Sequence, residues 1–319
     1  MLPHFCAFSM ESDACVPPKQ SKLSLKRAKW FALVLIVFGC TFFALPVHSE
    51  AQTLQQSFIW SPSSPTGTQV YRAFRKSFVL TDVPATAPLQ IFADSRFILW
   101  INGKYVLRGP CRFDWHAPQY DELDVASFLQ PGTNVIAVMV HDYAGAVSSK
   151  IMAHVPGLTA DLQLPGTNIF TDTTWHSGPT MYQPSPDVWG SIPDVIDARV
   201  QTNDWTATDF DDSTWETATN VDGSQWGTLT PRTIPLAVET IMTNVTLVSS
   251  GQNLAAALPI TLTTGQSIVV NHGRMALAYP IVNLSANAGS VLQINYYLRL
   301  IDGQPTESYG DGYTGTTYT

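Results

Sequence analysis

Short apolar runs separated by turn residues are the main pattern in the first half of the chain. Leu89–Ala93 and Phe97–Ile101 are two such runs, and Val135–Val140 is a third. Between them lies Asn102-Gly103, a residue pair that tolerates positive φ at both central positions of a tight hairpin turn. Phe97–Ile101 is therefore predicted to fold back onto Tyr105–Leu107, and the runs together predict an antiparallel β unit.

Patterns before and after this unit predict further strands. A strand over Tyr71–Leu80 would place Tyr71, Ala73, Arg75 and Ser77 on one side and Arg72, Phe74, Lys76 and Phe78 on the other, which we interpret as an ordinary amphipathic strand with a basic edge. The tryptophans and clustered prolines of residues 147–196 indicate strands joined by ordered loops. From Leu236 a second β region is expected, with strands at Thr243–Val248, Ile260–Thr263, Ser267–Val270 and Val291–Leu300.

Composition supports the same fold class. Only 13% of the 319 residues are charged, whereas 22 are proline and 20 are glycine. Few charges and many turn formers fit a β-rich globular protein better than a helical one. The chain is therefore predicted to be all-β.

Several motifs occur in an order that resembles one known family. In the first half these are Ala-Asp-Ser-Arg-Phe-x-Leu-Trp-x-Asn-Gly at 93–103, Arg-Gly-Pro at 108–110, Tyr-Asp-x-Leu-Asp-Val at 120–125 and Leu-x-Pro-Gly-x-Asn-Val-Ile-Ala-Val at 129–138. Further along are Asp197-Ala198-Arg199, Asp209-Phe210-Asp211-Asp212-Ser213-x-Trp215 and Leu229-x-Pro231-Arg232-x-Ile234-Pro235. This order resembles the N-terminal β-sandwich of the bacterial α-L-rhamnosidases, glycoside hydrolase family 78.

The resemblance implies a jelly-roll or galactose-binding-like β-sandwich at residues 52–235, followed by a second, incomplete β-sandwich at 236–319. In that family, an α/α barrel behind the β domains hydrolyses terminal α-L-rhamnosides with inversion, using one carboxylic acid and one carboxylate. No long helical periodicity follows Pro235, and the chain ends in the middle of a pattern, so we expect a truncated chain. The resemblance therefore transfers no catalytic residue and implies a non-catalytic, carbohydrate-binding portion.

The N-terminal residues have the layout of a secretory signal. A basic cluster at residues 19–29 precedes Trp30–Leu45, an apolar run that is shorter than the roughly twenty residues needed to cross a bilayer. We expect residues 1–51 to be a signal peptide, with export to the periplasm or the exterior and membrane contact only through this segment. A retained anchor and a lipoprotein site at Cys40 are the alternatives.

Charge and motif content exclude several classes of partner. The formal net charge is −8, and an acidic chain without a basic patch repels phosphate backbones, which argues against nucleic acid. Phosphate loops, His-Glu-x-x-His, Gly-x-Ser-x-Gly and Cys-x-x-Cys motifs are absent from the sequence, so no cofactor is expected. Cys111 alone would remain after signal cleavage and is predicted to be a packed thiol.

The segment from Arg108 to Tyr120 is the richest candidate for contact with a rhamnose-containing glycan. Sugars are held by an aromatic face under the ring and by charged groups on the hydroxyls. The candidate residues are Arg108, Arg112, Asp114, Trp115, His116 and Tyr120. The alternative is a long loop folded over the sandwich edge with Trp115 as its plug. No metal is expected at His116, since no second His or Cys lies three to five residues away.

Two groups of carboxylates are interpreted as structural. Asp121, Glu122 and Asp124 lie on a predicted strand, where neighbours point to opposite faces and cannot face each other across a cleft. We expect them to form a solvated strand edge. The acidic run 209–212 lacks the glycine and terminal glutamate of a calcium loop, so it predicts an Asp-capped turn or short helix that docks Trp215 into the core.

The leading interpretation is the exported front portion of an α-L-rhamnosidase-like glycoside hydrolase. One alternative is a free-standing secreted carbohydrate-binding or cell-surface interaction protein. Another is the front end of a β-galactosidase-like enzyme, whose sandwich shares the Asn-Gly hairpin. The Asp197-Ala198-Arg199 run and the Asp211-Asp212-Ser213-x-Trp215 motif favour rhamnosidase over the β-galactosidase-like enzyme.

Overall fold

A computed structural model describes residues 52–65, 67–144, 154–185, 193–200, 203–242, 246–249, 259–271, 278–296, 300–301, 304–305 and 316–319. Helical structure in these ranges consists of single turns of 3-10 helix at Leu54–Gln56, Ala126–Phe128 and Gly223–Gln225. None of these turns has the length or apolarity to cross a membrane. All other regular structure is β-strand, which confirms the all-β fold class. The expected signal peptide lies outside the described residues.

The described ranges contain 21 strands. They are β1 Ile59–Trp60, β2 Val70–Leu80, β3 Pro88–Asp94, β4 Arg96–Ile101, β5 Lys104–Gly109, β6 Gln119–Asp124, β7 Gly132–Asp142, β8 Gly157–Leu164, β9 Thr167–Phe170, β10 His176–Gly178, β11 Tyr182–Gln183, β12 Asp194–Ile196, β13 Glu216–Thr217, β14 Thr219–Asn220, β15 Thr230–Pro231, β16 Thr246–Ser249, β17 Ile268–Asn271, β18 Leu292–Ile294, β19 Leu300–Ile301, β20 Gln304–Pro305 and β21 Thr316–Tyr318.

Two large sheets form the sandwich. The first sheet has seven strands in the order β14-β1-β8-β3-β6-β15, with β9 paired to β8. The second sheet has six strands in the order β13-β10-β2-β7-β4-β5 and is antiparallel throughout. Buried side chains of both sheets share one apolar core, which includes Leu89 and Leu158 from the first sheet and Phe74, Leu99 and Val138 from the second. The two sheets therefore pack face to face, as in other β-sandwiches.

The Asn-Gly hairpin is confirmed. Strand β4 pairs with β5, and the turn residues Asn102 and Gly103 have φ values of 52° and 76°. The side chain of Asn102 adds tertiary bonds that the turn motif does not require. Its Oδ1 accepts from the backbone N–H of Val135 at 2.8 Å, and its Nδ2 donates to the carbonyl of Phe128 at 2.9 Å. The hairpin is thereby fixed to the start of β7.

Strand β2 exists as predicted, but the prediction of a basic edge is wrong. β2 lies between β10 and β7 in the second sheet, so it is a central strand. Arg75 is only 1% exposed. It faces away from the sandwich core, on the outer face of the sheet, and a segment that follows β12 covers it. The sequence pattern shows alternation but carries no information on what covers each face.

Asp121 also differs from the prediction of a solvated strand edge. β6 lies between β3 and β15, and Asp121 is fully buried. Its Oδ1 accepts a hydrogen bond of 2.6 Å from Nη1 of Arg232. Glu122 and Asp124 are exposed, as expected. The difference arises because β15, 111 residues further along the chain, brings Arg232 to this strand.

The second β region is described only in parts. β16 pairs with β17, and β18 pairs with β21. The strand predicted at Ile260–Thr263 is wrong, because those residues lie outside any strand. β21 also pairs in parallel with β12, so Asp194–Ile196 and Thr316–Tyr318 lie side by side. This four-stranded sheet, β11-β12-β21-β18, places both β11 and β21 near the outer face of the second sheet.

Candidate functional site

The six predicted glycan contacts are distributed over a strand end, a loop and the next strand. Arg108 lies in β5 and Tyr120 in β6, with the other four in the loop between them. The guanidinium of Arg108 lies 4.0 Å from the ring centroid of Tyr279, in the second β region. Tyr120 and Trp115 instead pack beside an aromatic cluster around Trp226. The structure thus brings the loop residues and Tyr120 together but gives Arg108 a different set of neighbours.

Trp115 is stacked between two imidazole rings. The ring centroid of His116 lies 3.5 Å from that of Trp115, and the centroid of His154 lies 4.1 Å away and nearly parallel to it. Two rings this close to one centroid cannot share a face of the indole, so each covers one face. A sugar ring would have to displace an imidazole to stack on Trp115. The binding role predicted for this residue stays a prediction.

Asp114 and His116 form the exposed corner of this loop. Oδ1 of Asp114 accepts from the backbone N–H of His116 at 3.0 Å and contacts the Nδ1 atom of the same residue at 2.8 Å. These bonds, with the backbone bond contributing most, hold the pKa of Asp114 below its ordinary value. The carboxylate therefore builds the turn and remains charged. Arg112 is exposed beside this corner.

A buried carboxyl anchors the aromatic cluster beneath the loop. Oδ2 of Asp94 accepts from the indole Nε1 of Trp226 and from the backbone N–H of His154, both at 3.0 Å. Trp226 stacks on Phe58 at 4.1 Å between centroids. Burial raises the pKa of Asp94 to about 7, against the opposing effect of these bonds. Burial likewise raises the pKa of the nearby Asp142 to about 6.

Aspartate side chains recur as turn builders throughout the described residues. In eight cases an aspartate Oδ1 accepts from the backbone N–H two positions further on, the geometry of an Asx turn. These are Asp114, Asp124, Asp142, Asp172, Asp197, Asp204, Asp211 and Asp222. Asp211 confirms the predicted Asp-capped turn before Trp215, whereas Trp215 itself is half-buried against the cluster on the outer face of the second sheet and does not enter the core between the sheets. Three of the acidic residues singled out in the sequence, Asp114, Asp124 and Asp211, are thus engaged with the backbone.

A cavity of about 640 Å³ opens on the outer face of the second sheet. Trp100 and Met139 form its floor on β4 and β7. Tyr182 of β11 and Tyr318 of β21 form one wall, and the turn that carries Trp205 forms another. The volume is typical of small-molecule sites, which measure roughly 300–1,000 Å³. We call this space the outer-face cavity.

Arg75 holds the turn that walls the outer-face cavity. Its Nη1 donates to the carbonyls of Trp205 and Ala207, the latter at 3.1 Å, and its Nη2 donates to the carbonyl of Phe210 at 3.3 Å. Its Nε donates to Oδ2 of Asp212 at 2.8 Å. One buried guanidinium therefore satisfies three backbone carbonyls and a carboxylate. This explains how an irregular segment keeps a defined shape against the sheet.

Sequence reasoning missed the outer-face cavity, although two of its residues stood in or between the motifs already noted. Trp100 is part of the 93–103 motif, and Trp205 lies between the 197–199 and 209–215 motifs. Their ring centroids are 5.5 Å apart in an edge-to-face arrangement, although 105 residues separate them in sequence. Only the fold brings them together. Within the described ranges, no group of three or more His, Cys, Asp or Glu could hold a metal ion.

Comparison with known proteins identifies the sandwich. The sequence profile of the alpha-L-rhamnosidase N-terminal domain matches residues 84–239. The solved GH78 rhamnosidase of Bacillus sp. GL1 is 30% identical, with a TM-score of 0.52, over 60% of this chain and 22% of that chain. No curated protein matches the sequence.

Two further α-L-rhamnosidase structures share the fold. That from Dictyoglumus thermophilum is 18% identical with a TM-score of 0.57, and that from Aspergillus terreus is 17% identical with a TM-score of 0.55. Each match covers 82% of this chain and 31% of the other. The chain spans less than a third of the length of these three relatives. Residues 84–239 therefore match the N-terminal domain of the α-L-rhamnosidases, and the described β-sandwich has the fold of the corresponding part of these family 78 enzymes.

Proposed function

We propose that this chain is a non-catalytic part of an enzyme that hydrolyses terminal α-L-rhamnosides. The observation that carries the proposal is the match of residues 84–239 to the rhamnosidase N-terminal domain, combined with the small share of each related enzyme that the chain spans. The sandwich then braces the catalytic part and extends its contact with the substrate. It takes no part in bond cleavage.

The carboxyl groups of the sandwich support this role. Glycoside hydrolysis by inversion needs an acid and a base about 6.5–9.5 Å apart across a cleft that the sugar can enter. Asp94 and Asp142 have pKa values suited to an acid, about 7 and about 6, but they are 0% and 2% exposed. A substrate cannot reach them.

The carboxyls that solvent can reach have pKa values shifted in the opposite direction. Five of them have pKa values held below the ordinary range by hydrogen bonds from groups two residues further on; they are Asp114, Asp124, Asp197, Asp211 and Asp222. A carboxylate stabilised in its charged form is a poor proton donor at neutral pH. Among the described residues, the accessible aspartates that build turns are therefore unsuited to act as the general acid.

Export and glycan contact are parts of the same proposal. The basic cluster followed by Trp30–Leu45 supports secretion, which N-terminal sequencing of the protein recovered from an expressing cell's periplasm or medium would test. A first residue near position 52 is expected, and recovery of the intact N-terminus from the cytoplasm alone would contradict secretion. A rhamnose-containing glycan is the proposed partner, because the related enzymes are named for their action on α-L-rhamnosides.

An assay with nitrophenyl α-L-rhamnoside tests the non-catalytic role. The purified chain is expected to release nitrophenol no faster than buffer, while a complete family 78 rhamnosidase at equal concentration serves as the positive control. Release above the buffer blank that follows chain concentration would refute the non-catalytic role. Thermal melting of the same sample confirms that the chain is folded during the assay.

A further inference from the structure

The outer-face cavity has a lining that combines aromatic surface with hydroxyl groups. Trp100, Tyr182 and Tyr318 are each partly exposed and contribute ring surface. The two tyrosines of one wall and Thr206 of the other wall also carry hydroxyl groups. A pyranose presents one apolar C–H face and a rim of hydroxyls, so this arrangement matches its two kinds of surface.

The charges of the lining narrow the ligand class. Among the described residues that line the outer-face cavity, none is basic and Asp204 is the one acidic side chain. Without a cationic group, a sugar carboxylate or phosphate would lose its hydration without gaining a charged partner. The cavity is therefore suited to a neutral sugar. Met139 and Met181 add flexible apolar surface, which suits a ring substituent that is a methyl group in place of a hydroxymethyl group.

The polar wall is already fixed in place. Oδ1 of Asp204 accepts from the backbone N–H of Thr206 at 3.0 Å and from its hydroxyl at 2.6 Å. The carbonyl of the next residue along from Asp204, Trp205, accepts from the buried guanidinium of Arg75. Side chains held in this way lose little conformational entropy when a ligand binds. Preorganisation of this kind distinguishes a binding wall from a mobile surface turn.

We propose that the outer-face cavity binds a neutral 6-deoxy pyranose of a glycan, with Trp100 as the stacking surface and Asp204 as a hydrogen-bond acceptor for hydroxyls. The choice of a 6-deoxy sugar rests on the proposed function together with the apolar surface of Met139 and Met181, whereas the choice of a neutral sugar rests on the lining alone. The site is distinct from the Arg108–Tyr120 loop, where the faces of Trp115 are covered by imidazoles.

Calorimetric titration of the purified chain with L-rhamnose tests this site. Saturable binding is expected for the unaltered chain, and Trp100→Ala is expected to weaken it by about tenfold or more, equivalent to about 1.4 kcal/mol. Asp204→Asn supplies an amide oxygen that can still accept from Thr206 but removes the negative charge. Weaker sugar binding with an unchanged melting temperature is therefore expected. D-glucuronate, with its carboxylate, is expected not to bind.

Trp115→Ala tests the competing Arg108–Tyr120 loop, since it removes a partly exposed tryptophan of that surface. Binding within about twofold of the unaltered chain is expected for this variant. Loss of binding in Trp115→Ala with retention in Trp100→Ala would overturn the cavity assignment and transfer the sugar to the loop. A lack of saturable L-rhamnose binding by the unaltered chain would also overturn the cavity assignment.

These failures can be told apart from failure of the proposed function. Nitrophenol release by the chain refutes the non-catalytic role whether or not the outer-face cavity binds sugar. Absence of L-rhamnose binding refutes the cavity assignment and leaves the hydrolysis result as it stands. If Trp100→Ala fails to fold by thermal melting, Asp204→Asn alone decides, and unchanged affinity in that variant overturns the assignment.

Discussion

Nε of Arg75 donates a hydrogen bond of 2.8 Å to Oδ2 of Asp212 across 137 residues of sequence. Although burial alone would raise it, the bonds from Arg75 and His176 hold the pKa of Asp212 below its ordinary value. The guanidinium also serves three backbone carbonyls of the same segment. This one interaction therefore joins the second sheet to the segment that walls the outer-face cavity.

Replacement of Arg75 by methionine is expected to destabilise the chain by about 3–5 kcal/mol, the range for breaking a buried ion pair on one side. The cost arises because the three carbonyls lose their donor and Asp212 keeps only its contact with His176, while methionine fills the space. Urea unfolding measures the change. Arg72→Met on the same strand is the control, since Arg72 is partly exposed and bonds only to Ser64 in the described contacts. A similar loss in both variants would contradict the assigned role of Arg75.

Asp94 is expected to make the stability fall as pH rises. Its pKa is about 7 in the folded chain and close to 3.8 when unfolded, so the native state holds more protons between these values. The loss between pH 4 and pH 8 amounts to about 3–4 kcal/mol, at 1.36 kcal/mol per pKa unit. Asp94→Asn keeps an oxygen for Trp226 but does not titrate, so it should gain stability relative to the unaltered chain over this range.

Melting temperatures of both proteins across that pH range measure the effect. Asp124→Asn provides a control of opposite sign, because backbone N–H groups of Ala126 and Ala87 lower the pKa of Asp124. The advantage of the unaltered chain over this control should shrink as the pH falls through the lowered pKa. A constant difference in melting temperature between Asp94→Asn and the unaltered chain at all pH values would show that the pKa of Asp94 is not raised.

His141 is expected to reduce the stability of the folded chain at acidic pH. Its ring is stacked against Tyr71 at 3.7 Å and Tyr143 at 4.1 Å, and no group in the described structure bonds to its Nε2. Burial, assisted by the charge of Arg96, lowers its pKa to about 3. The unfolded chain takes up a proton near pH 6.5 that the native state excludes, so stability falls as the pH drops from 6.5 towards 3.

His141→Phe keeps the ring stack and removes the titration. Its stability relative to the unaltered chain should therefore rise as the pH decreases from 6.5 towards 3. Above pH 6.5, the two proteins are expected to show nearly the same change of stability with pH. Urea unfolding at several pH values measures both slopes. A constant difference between the two proteins from neutral to acidic pH would contradict a neutral, buried His141.

Asn102 is expected to contribute to the stability of the chain in two separable ways. It supplies a left-handed turn residue, with φ of 52°, and its amide bonds to Val135, Phe128 and Asn134. Asn102→Gly loses only the bonds, whereas Asn102→Ala also incurs the strain of positive φ, about 1–2 kcal/mol. The expected order of stability by urea unfolding is Asn, then Gly, then Ala. Equal stability of Asn and Gly would mean that the side-chain bonds contribute nothing.

The sequence revealed local structure better than tertiary partners. The hairpin at Asn102-Gly103 follows from two residues whose backbone preferences are local, and the family motifs were sufficient to identify the sandwich. Arg75 and Asp121 were misplaced because their partners lie more than 100 residues away in sequence. Burial of a charged side chain depends on such partners, and alternation along one strand cannot reveal them.

The same limit applies to the candidate site. The composition of the Arg108–Tyr120 loop suggested a sugar platform, but His154, 39 residues beyond Trp115, covers one face of its indole. The outer-face cavity draws on residues from position 100 to position 318, so no local window contains it. The signals that the sequence did carry are the position of Trp100 in the 93–103 motif and the position of Trp205 between the 197–199 and 209–215 motifs.

We propose that the carboxyl groups of the described sandwich stabilise its fold and take no part in glycoside cleavage. The most direct measurement is the rate of nitrophenol release from nitrophenyl α-L-rhamnoside across acidic to neutral pH, for the unaltered chain, Asp94→Asn and Asp142→Asn. All three profiles are predicted to coincide with the buffer blank at every pH. A bell-shaped profile above the blank for the unaltered chain, lost in either variant, would contradict the account.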